Sequence, residues 1–506
     1  MERRKKEMAF TSSIFLFVFF PICLLGFFLA HAVEKVGPVF KKLRLSDLFL
    51  IGIGLIFYGW ASLDGIFWMV GMIFLVFLLG KLIEKVPQKT PARLLAVLCS
   101  VLVVTLALIY FKYTGFLVTT INQIFSFSLS VKSIAAPLGV SFITFSAISY
   151  FVDIYRQDAK AGNLLDAALY LSFFPKVISG PIALWKDFSV QICWADRKLD
   201  TENFLWGLNR MILGFAKKVI LADVFGLLIS QISGNMSGGI DIITAWGMAF
   251  LYMLQIYYDF SGYSDIALGL SALFGIRLKE NFCFPYLSQS IGEFWRRWHI
   301  SLGTWFREYI YIPLGGNRKG KNRTFVNLFI VFLVTGIWHG AGWNYILWGI
   351  INGVFSVLER MSKNKTWYQK TPAVIKWAVT MSIVLLSWQV FRLSSMSEIG
   401  QYFQILFGVV HFDTVNFTWQ YYFDLRMVFL MTVGTVGALL PGLSPVQNCW
   451  NRISKNKAVF CISQILLLGL GVLAVAIYHS CDFVVCQIRC RCRDHRWDCC
   501  RNCCRL

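Results

Sequence analysis

The sequence predicts an all-α polytopic membrane protein, and three observations lead to this prediction. Hydrophobic residues make up 57% of the 506 positions and charged residues only 15%, whereas soluble globular proteins carry about 25% charged residues. Apolar runs of about 20 residues, the length of a spanning helix, recur along the chain. Lysine and arginine concentrate in the short loops between these runs, as the positive-inside rule describes. The net charge of +21 has the same origin, and without zinc-finger spacing or an RNA-binding aromatic signature the pattern excludes nucleic acid as a partner.

The first apolar run predicts a retained spanning helix. Residues 8–32 are longer than the apolar segment of a signal peptide and contain no clear small-residue cleavage site. The basic loops 34–47 and 81–93 are expected in the cytoplasm, and the loop 60–66, which has no lysine or arginine, is expected outside. This orientation puts the N-terminus outside. The basic stretch 1–7 contradicts it, so we interpret that stretch as a doubtful N-terminal extension.

The middle of the chain alternates straight and irregular membrane segments. Two further spans are predicted at 94–111 and 137–156, and the amphipathic segment 113–133 between them is expected to lie along the membrane interface. Residues 170–182 combine apolar positions with Pro175 and glycine, which is typical of a bent or re-entrant segment rather than a straight span.

Two polar groups interrupt the apolar runs that follow. Residues 204–232 contain Lys217 and Lys218, for which we favour the membrane interface, reached by snorkelling, over a polar cavity. Asp259 and Asp265 belong to a polar cluster between two apolar runs. This cluster is either a corner that stabilises a helix bend or a wall of a substrate cavity, and spacing alone favours the corner.

The C-terminal part contains three more predicted spans, at 374–391, 425–440 and 458–479, with an interfacial helix and a loop at 394–424. The tail 481–506 holds eight of the 14 cysteines. It is either a metal-binding or disulfide module, or an out-of-frame or disordered extension. We favour the second interpretation because the spacing fits no zinc pattern, and we predict no metal site.

Two histidines mark the central stretch. If the segment around His299 is helical, His299 shares a face with Trp295 and Leu302. Residues 325–358 are too long for one span, and the two glycines that follow His339 divide them. His339 then lies roughly 20 Å along its helix, inside the hydrocarbon core. An ionisable side chain at that depth indicates either a functional site or a neutral histidine that packs against a neighbouring helix, and the glycines and the second histidine favour function.

Three segments together resemble one known family. They read PLGVSFITFSAISYFVDIYR (137–156), YYDFSGYSDIALGLSALFGIRLKENFCFPYLSQSIGEFWRRWHISLGTWFREYIYIPLGGNR (257–318) and TGIWHGAGWNYILWGIINGV (335–354). They resemble the membrane-bound O-acyltransferase family, in the bacterial branch of alginate O-acetylation and D-alanyl-lipoteichoic acid transfer. The resemblance covers a membrane domain of residues 8–480 with its core motifs in 137–354. It implies a ring of about 11–13 helices with re-entrant segments around a central funnel.

The resemblance also implies an activity. Members of this branch transfer an acyl group from a cytoplasmic donor, here acetyl-CoA or another acyl donor as substrate, with no bound cofactor. The expected acceptor is an extracytoplasmic polysaccharide, reached through a separate extracytoplasmic partner protein, and the expected location is the cell membrane, in contact with membrane lipid. D-alanyl transfer to teichoic acid is the alternative within the family. A transporter or flippase that uses intramembrane ionisable groups as a relay is the alternative from another class.

The candidate site residues follow from the motifs. His339 matches the nearly invariant histidine of the family and His299 its second conserved position. A histidine can remove the proton of an attacking hydroxyl as general base, and we assign this role to His339. The developing oxyanion needs hydrogen-bond donors, for which we rank His299 ahead of the two adjacent arginines. The residues predicted to bind substrate are Arg296, Arg297, Trp295, Trp298, Asp259, Asp265, Trp338 and Asn344.

Overall fold

The computed structural model describes residues 9–130, 134–192, 197, 199–410, 412 and 415–491. Within these residues the regular secondary structure is helical, and an isolated β-bridge joins Phe282 and Trp298. The predictions for residues 1–7 and for the end of the tail, 492–506, lie outside the described residues. The division of the chain at residue 480 stays a prediction.

The first twelve α-helices are α1 Phe20–Glu34, α2 Pro38–Leu43, α3 Leu45–Ala61, α4 Leu63–Lys85, α5 Pro91–Leu108, α6 Thr114–Phe125, α7 Val140–Arg156, α8 Leu164–Ser172, α9 Phe174–Val177, α10 Trp185–Ser189, α11 Thr201–Ala216 and α12 Asp223–Asn235. The others are α13 Ile242–Leu273, α14 Ile291–Arg297, α15 Ile300–Phe306, α16 Lys321–His339, α17 Trp343–Ser362, α18 Thr366–Lys370, α19 Ala373–Arg392, α20 Met396–Leu406, α21 Trp419–Tyr422, α22 Leu425–Leu439, α23 Ser444–Ile453 and α24 Lys457–Arg491. Four π-helical turns adjoin them, at Phe15–Phe19, Ile109–Tyr113, Lys217–Ala222 and Arg307–Tyr311.

Several helices have the length and composition of membrane spans. In the described part of the chain seven stretches qualify, namely Phe15–Glu34, Val39–Ala61, Leu63–Lys85, Pro91–Phe125, Ala373–Arg392, Leu425–Gly442 and Lys457–Tyr478. The prediction of an all-α polytopic membrane protein is therefore confirmed. The last three stretches agree with the spans predicted at 374–391, 425–440 and 458–479.

The helices pack around two large apolar clusters. One cluster gathers buried residues of the N-terminal helices, such as Phe57 and Tyr150, and the other gathers residues of the later helices, such as Trp348 and Trp388. The long helix α13 contributes to both, because its Ile266 lies in the first cluster and Met248 in the second. The site described below is lined by residues of the second cluster, such as Trp388, and of a smaller third cluster that includes Leu302 and Trp338.

Two irregularities predicted from glycine and proline are confirmed. The segment 170–182 is not a straight span, since α8 ends at Ser172 and only the short α9 follows before an irregular, largely buried stretch. The apolar run 325–358 divides where predicted, because α16 ends at His339 and Gly340 is extended.

Two helices are more continuous than the sequence predicted. The chain stays helical from α5 through the π-helical turn Ile109–Tyr113 into α6, so the predicted end of the span at 111 is wrong, while the interfacial location of the segment 113–133 stays a prediction. Helix α13 runs unbroken for 32 residues through the polar cluster. The interpretation of that cluster as a corner at a helix bend is therefore wrong as well.

Candidate active site

A cavity of about 890 Å³ lies between α7, α13, α14, α15, α16 and α19, and both predicted histidines line it. Its wall includes most of the residues predicted to bind substrate, namely Trp295, Arg296, Trp298, Asp259 and Trp338. Arg297, Asp265 and Asn344 are not part of the wall. The cavity thus brings together predicted site residues that are up to 80 positions apart, from 259 to 339, and its wall as a whole runs from Lys112 to Phe391.

His339 is the last residue of α16, and its ring is held by aromatic side chains. The ring centroids of Trp348 and Phe391 lie 5.2 Å and 5.1 Å from that of the imidazole, both in edge contact. No residue in the described ranges hydrogen-bonds a nitrogen of this imidazole, and the side chain faces the cavity. The aromatic contacts fix the ring while leaving its nitrogens available to a substrate hydroxyl.

His299 does not lie within a continuous helix, so the predicted face shared with Trp295 and Leu302 is wrong. α14 ends at Arg297 and α15 begins at Ile300, and His299 between them adopts a left-handed conformation with φ of 46°. Backbone pairing with the segment before α14 maintains this conformation, since Cys283 N donates to Arg297 O and Ile300 N donates to Asn281 O, both at 2.9 Å. A non-glycine residue in this region is uncommon and indicates a constrained position.

Asn281 orients the imidazole of His299. Its Oδ1 accepts from Ser301 Oγ at 2.9 Å and lies 2.9 Å from His299 Nδ1, while its Nδ2 donates to Ser264 Oγ at 3.1 Å. Because Oδ1 is an acceptor, Nδ1 carries the proton and Nε2 of the neutral ring is left as an acceptor. His299 is 3% exposed and lines the cavity. The sequence contained no signal for Asn281, which lies in an irregular segment.

Adjacent arginines in α14 have different environments. Arg297 pairs with Glu293, with Nη2 2.9 Å from Oε1, and donates to Cys283 O. Arg296 lines the cavity together with Arg307 and Arg360, and none of these three forms an ion pair with another described residue. The cavity wall therefore includes three guanidinium groups that form no ion pair among the described residues. Arg307 and Arg360 were not among the predicted site residues.

The two aspartates of the polar cluster also separate. Asp259 lines the cavity, where Lys218 Nζ lies 2.9 Å from Oδ1. Asp265 is buried and neutralised by Arg210 and Lys217, at 2.8 Å and 2.7 Å. The lysines of this region therefore pair with carboxylates, Lys217 with Asp265 and Lys218 with Asp259 and Asp223, and their location at the membrane interface stays a prediction.

Three tryptophans contribute to the cavity wall, Trp295, Trp338 and Trp388, and their indole N–H groups are buried. Trp388, on α19, was not predicted from the sequence. Asn344 contacts the cavity only indirectly, because its Nδ2 lies 3.5 Å from the backbone oxygen of Phe391, the residue that packs against His339.

Comparison with known proteins identifies the family. The sequence profile of the membrane-bound O-acyltransferase family (MBOAT) matches residues 54–396, which include every residue of the cavity wall. The chain belongs to the MBOAT family. It is accordingly an O-acyltransferase and a multi-pass membrane protein, and the predicted branch is supported by individual relatives.

Three relatives of this MBOAT protein illustrate the branch. A probable alginate O-acetylase of Pseudomonas aeruginosa is 37% identical over 409 residues, which cover 79% of this chain and 75% of the relative. A peptidoglycan O-acetyltransferase of Helicobacter pylori is 32% identical over 437 residues, covering 81% of each chain. A teichoic acid D-alanyltransferase of Streptococcus thermophilus is 33% identical over 250 residues, covering 47% of this chain and 59% of the relative.

Proposed function

We propose that this protein transfers an acetyl group from acetyl-CoA, entering from the cytoplasm, to a hydroxyl group of an extracytoplasmic polysaccharide, with His339 as general base. The observation that carries the proposal is the single cavity whose wall holds both histidines and three arginines that form no ion pair among the described residues. The two O-acetyltransferase relatives align over about four fifths of this chain, and the D-alanyltransferase over less than half. This difference favours acetyl over D-alanyl transfer.

The proposed reaction needs no bound cofactor. The acceptor hydroxyl oxygen attacks the thioester carbonyl carbon while an imidazole nitrogen of His339 takes the hydroxyl proton. The tetrahedral intermediate then loses the thiolate, to which the imidazolium returns the proton. An ester and a free thiol result.

His299 takes a different role from the oxyanion donor first considered. Its Nδ1–H is directed at Asn281, so the neutral ring offers only an acceptor to the cavity. We therefore assign His299 to orienting the attacking hydroxyl or the pantetheine amide.

The positions of the basic residues support transfer from the cytoplasm outward. The loop before α16 carries Arg318 and Lys319, which the positive-inside rule assigns to the cytoplasm. Arg296, Arg307 and Arg360 suit the phosphates of a CoA donor on that side. His339 lies roughly 27 Å along α16 from its first residue, toward the opposite face. An acetyl group carried to that depth is available to an outer acceptor, directly or through an extracytoplasmic partner protein.

The test uses purified protein in detergent with labelled acetyl-CoA and a cell-envelope extract from the host. Wild type is expected to move label into the envelope polysaccharide. His339→Ala should lose at least about 100-fold in rate, the scale of general-base catalysis, at equal abundance and melting temperature. Activity in detergent also tests the transporter alternative, because a transporter needs a sealed bilayer. Label transfer by His339→Ala at the wild-type rate would overturn the assignment of the base.

A further inference from the structure

The C-terminal turn of α16, which ends at His339, is held by a neighbouring helix. The last carbonyl groups of a helix have no partner within it. Here Tyr113 Oη donates to Ile337 O at 2.7 Å, and Lys112 Nζ donates to Trp338 O and, at 3.3 Å, to His339 O. Two adjacent side chains thus bind three successive carbonyl groups at the helix end that carries the proposed base.

The π-helical turn Ile109–Tyr113 makes this double contact. Single π-helical turns within α-helices are rare and recur at functional sites. Lys112 and Tyr113 are the last two residues of the turn, and both reach α16. Tyr110, in the same turn, is exposed, and its hydroxyl has no such contact among the described residues.

The ammonium group of Lys112 has an unusual environment. Its other polar contact is Ser141 Oγ at 3.3 Å, and its nitrogen lies 5.6 Å from the ring centroid of Trp338. No carboxylate of a described residue pairs with it. A partly buried cation without a counter-ion is costly, and here the carbonyl groups at a helix C-terminus, which carry partial negative charge, stabilise it. The same bonds fix the carbonyl groups relative to the α5–α6 helix.

We propose that Lys112, together with Tyr113, is a positioning residue for acyl transfer, which holds the end of α16 so that the His339 imidazole faces the acceptor hydroxyl. This inference rests on the proposed function and on the role of His339 in it. Lys112 lines the cavity and Tyr113 does not. An effect of Tyr113 on the rate therefore reports on the helix end, because Tyr113 cannot act on the substrate directly.

The test compares Lys112→Met, Lys112→Arg and Tyr113→Phe with wild type, using labelled acetyl-CoA and envelope extract, and Tyr110→Phe is the matched control. Lys112→Met should lower kcat about 100-fold, the cost of a displacement of about 1 Å at a reacting group, while KM for acetyl-CoA stays within about twofold of wild type. Lys112→Arg should recover about 10-fold of this loss, because guanidinium N–H groups can also bind carbonyl oxygens. Tyr113→Phe should lower kcat about fivefold, the worth of one hydrogen bond, and Tyr110→Phe should leave it unchanged.

The double variant Lys112→Met/Tyr113→Phe should lose less than the product of the two single losses, because both residues hold the same helix end. Three results would overturn the proposal. The first is a wild-type kcat in Lys112→Met. The second is a raised KM for acetyl-CoA in Lys112→Met with unchanged kcat. The third is a wild-type kcat in Tyr113→Phe when the kcat of Lys112→Met is lowered. His339→Ala is measured in parallel, since normal turnover in that variant overturns the proposed base instead.

Discussion

Replacing Gly349 by alanine tests whether the close approach of α16 and α17 determines the position of His339. Small residues allow membrane helices to pack closely, and Gly349 on α17 faces Gly336 on α16. A Cβ atom at Gly349 would lie 2.7 Å from Phe332 O and 3.2 Å from Gly336 Cα, both backbone atoms, whereas ordinary contact begins at 3.4 Å. The two helices would therefore have to separate by about 0.7 Å.

The expected effect has two opposing parts. Overpacking costs about 1–3 kcal/mol, and alanine regains up to about 1 kcal/mol of helix propensity over glycine. We expect a net loss of about 1–2 kcal/mol in stability, and a fall in kcat of about 10-fold or more because the base moves by a large fraction of 1 Å. The assays are thermal melting in detergent and transfer of labelled acetyl groups.

The matched control is Gly71→Ala in α4, where a Cβ atom would meet nothing within 4 Å. This variant should melt at or above the wild-type temperature and keep its kcat, since only the propensity gain applies. If Gly349→Ala melts and turns over like Gly71→Ala, close packing of α16 on α17 does not set the position of His339.

Three further predictions concern single residues. Arg296→Ala should raise KM for acetyl-CoA about 10-fold, the worth of one charged hydrogen bond. Arg297→Ala beside it should change KM little, and equal effects of the two variants would contradict the assignment of Arg296 to binding the donor. Asn281→Ala should lower kcat by about 10- to 100-fold because the His299 ring loses its partner and is free to turn. Asn281→Asp keeps an acceptor, so its kcat should be closer to that of wild type. A wild-type kcat of Asn281→Ala in steady-state kinetics would show that the orientation of His299 is irrelevant. Asp265→Asn leaves Arg210 and Lys217 without their buried partner and should lower the free energy of unfolding by about 3 kcal/mol. The loss is measured as a decrease of folded protein in detergent, and a normal melting temperature would argue against the ion-pair role.

The sequence predicted the spans and the division of the α16–α17 hairpin because both follow from local composition. A run of apolar residues that exceeds the membrane thickness has to divide, and glycines mark the place. The histidine at that division could be recognised as functional for the same reason, since an ionisable group at such depth is costly. These inferences need no knowledge of which helices are neighbours.

The remaining parts of the site depend on contacts between distant segments. The left-handed conformation of His299 is set by pairing with residues 281–283, which helical periodicity cannot show. Arg296 and Arg297 are equivalent in sequence, and only the position of Glu293 and of the cavity separates them. Lys112 was not among the predicted site residues, because its partners are carbonyl groups on a helix more than 220 residues later.

A π-helical turn contains one residue more than the α-helical turn that it replaces. At Ile109–Tyr113 the extra residue lets the preceding helix α5 and the following helix α6 keep their faces against their neighbours while an additional polar group enters between them. Evolution could add or remove such a group by a single codon insertion or deletion, without changing the sequence on either side. Deleting one residue here would convert the π-helical turn into an α-helical one, with α5 and α6 keeping their faces but without the additional polar group, so the presence of the extra residue, and not only the identity of residue 112, is a heritable trait of the site.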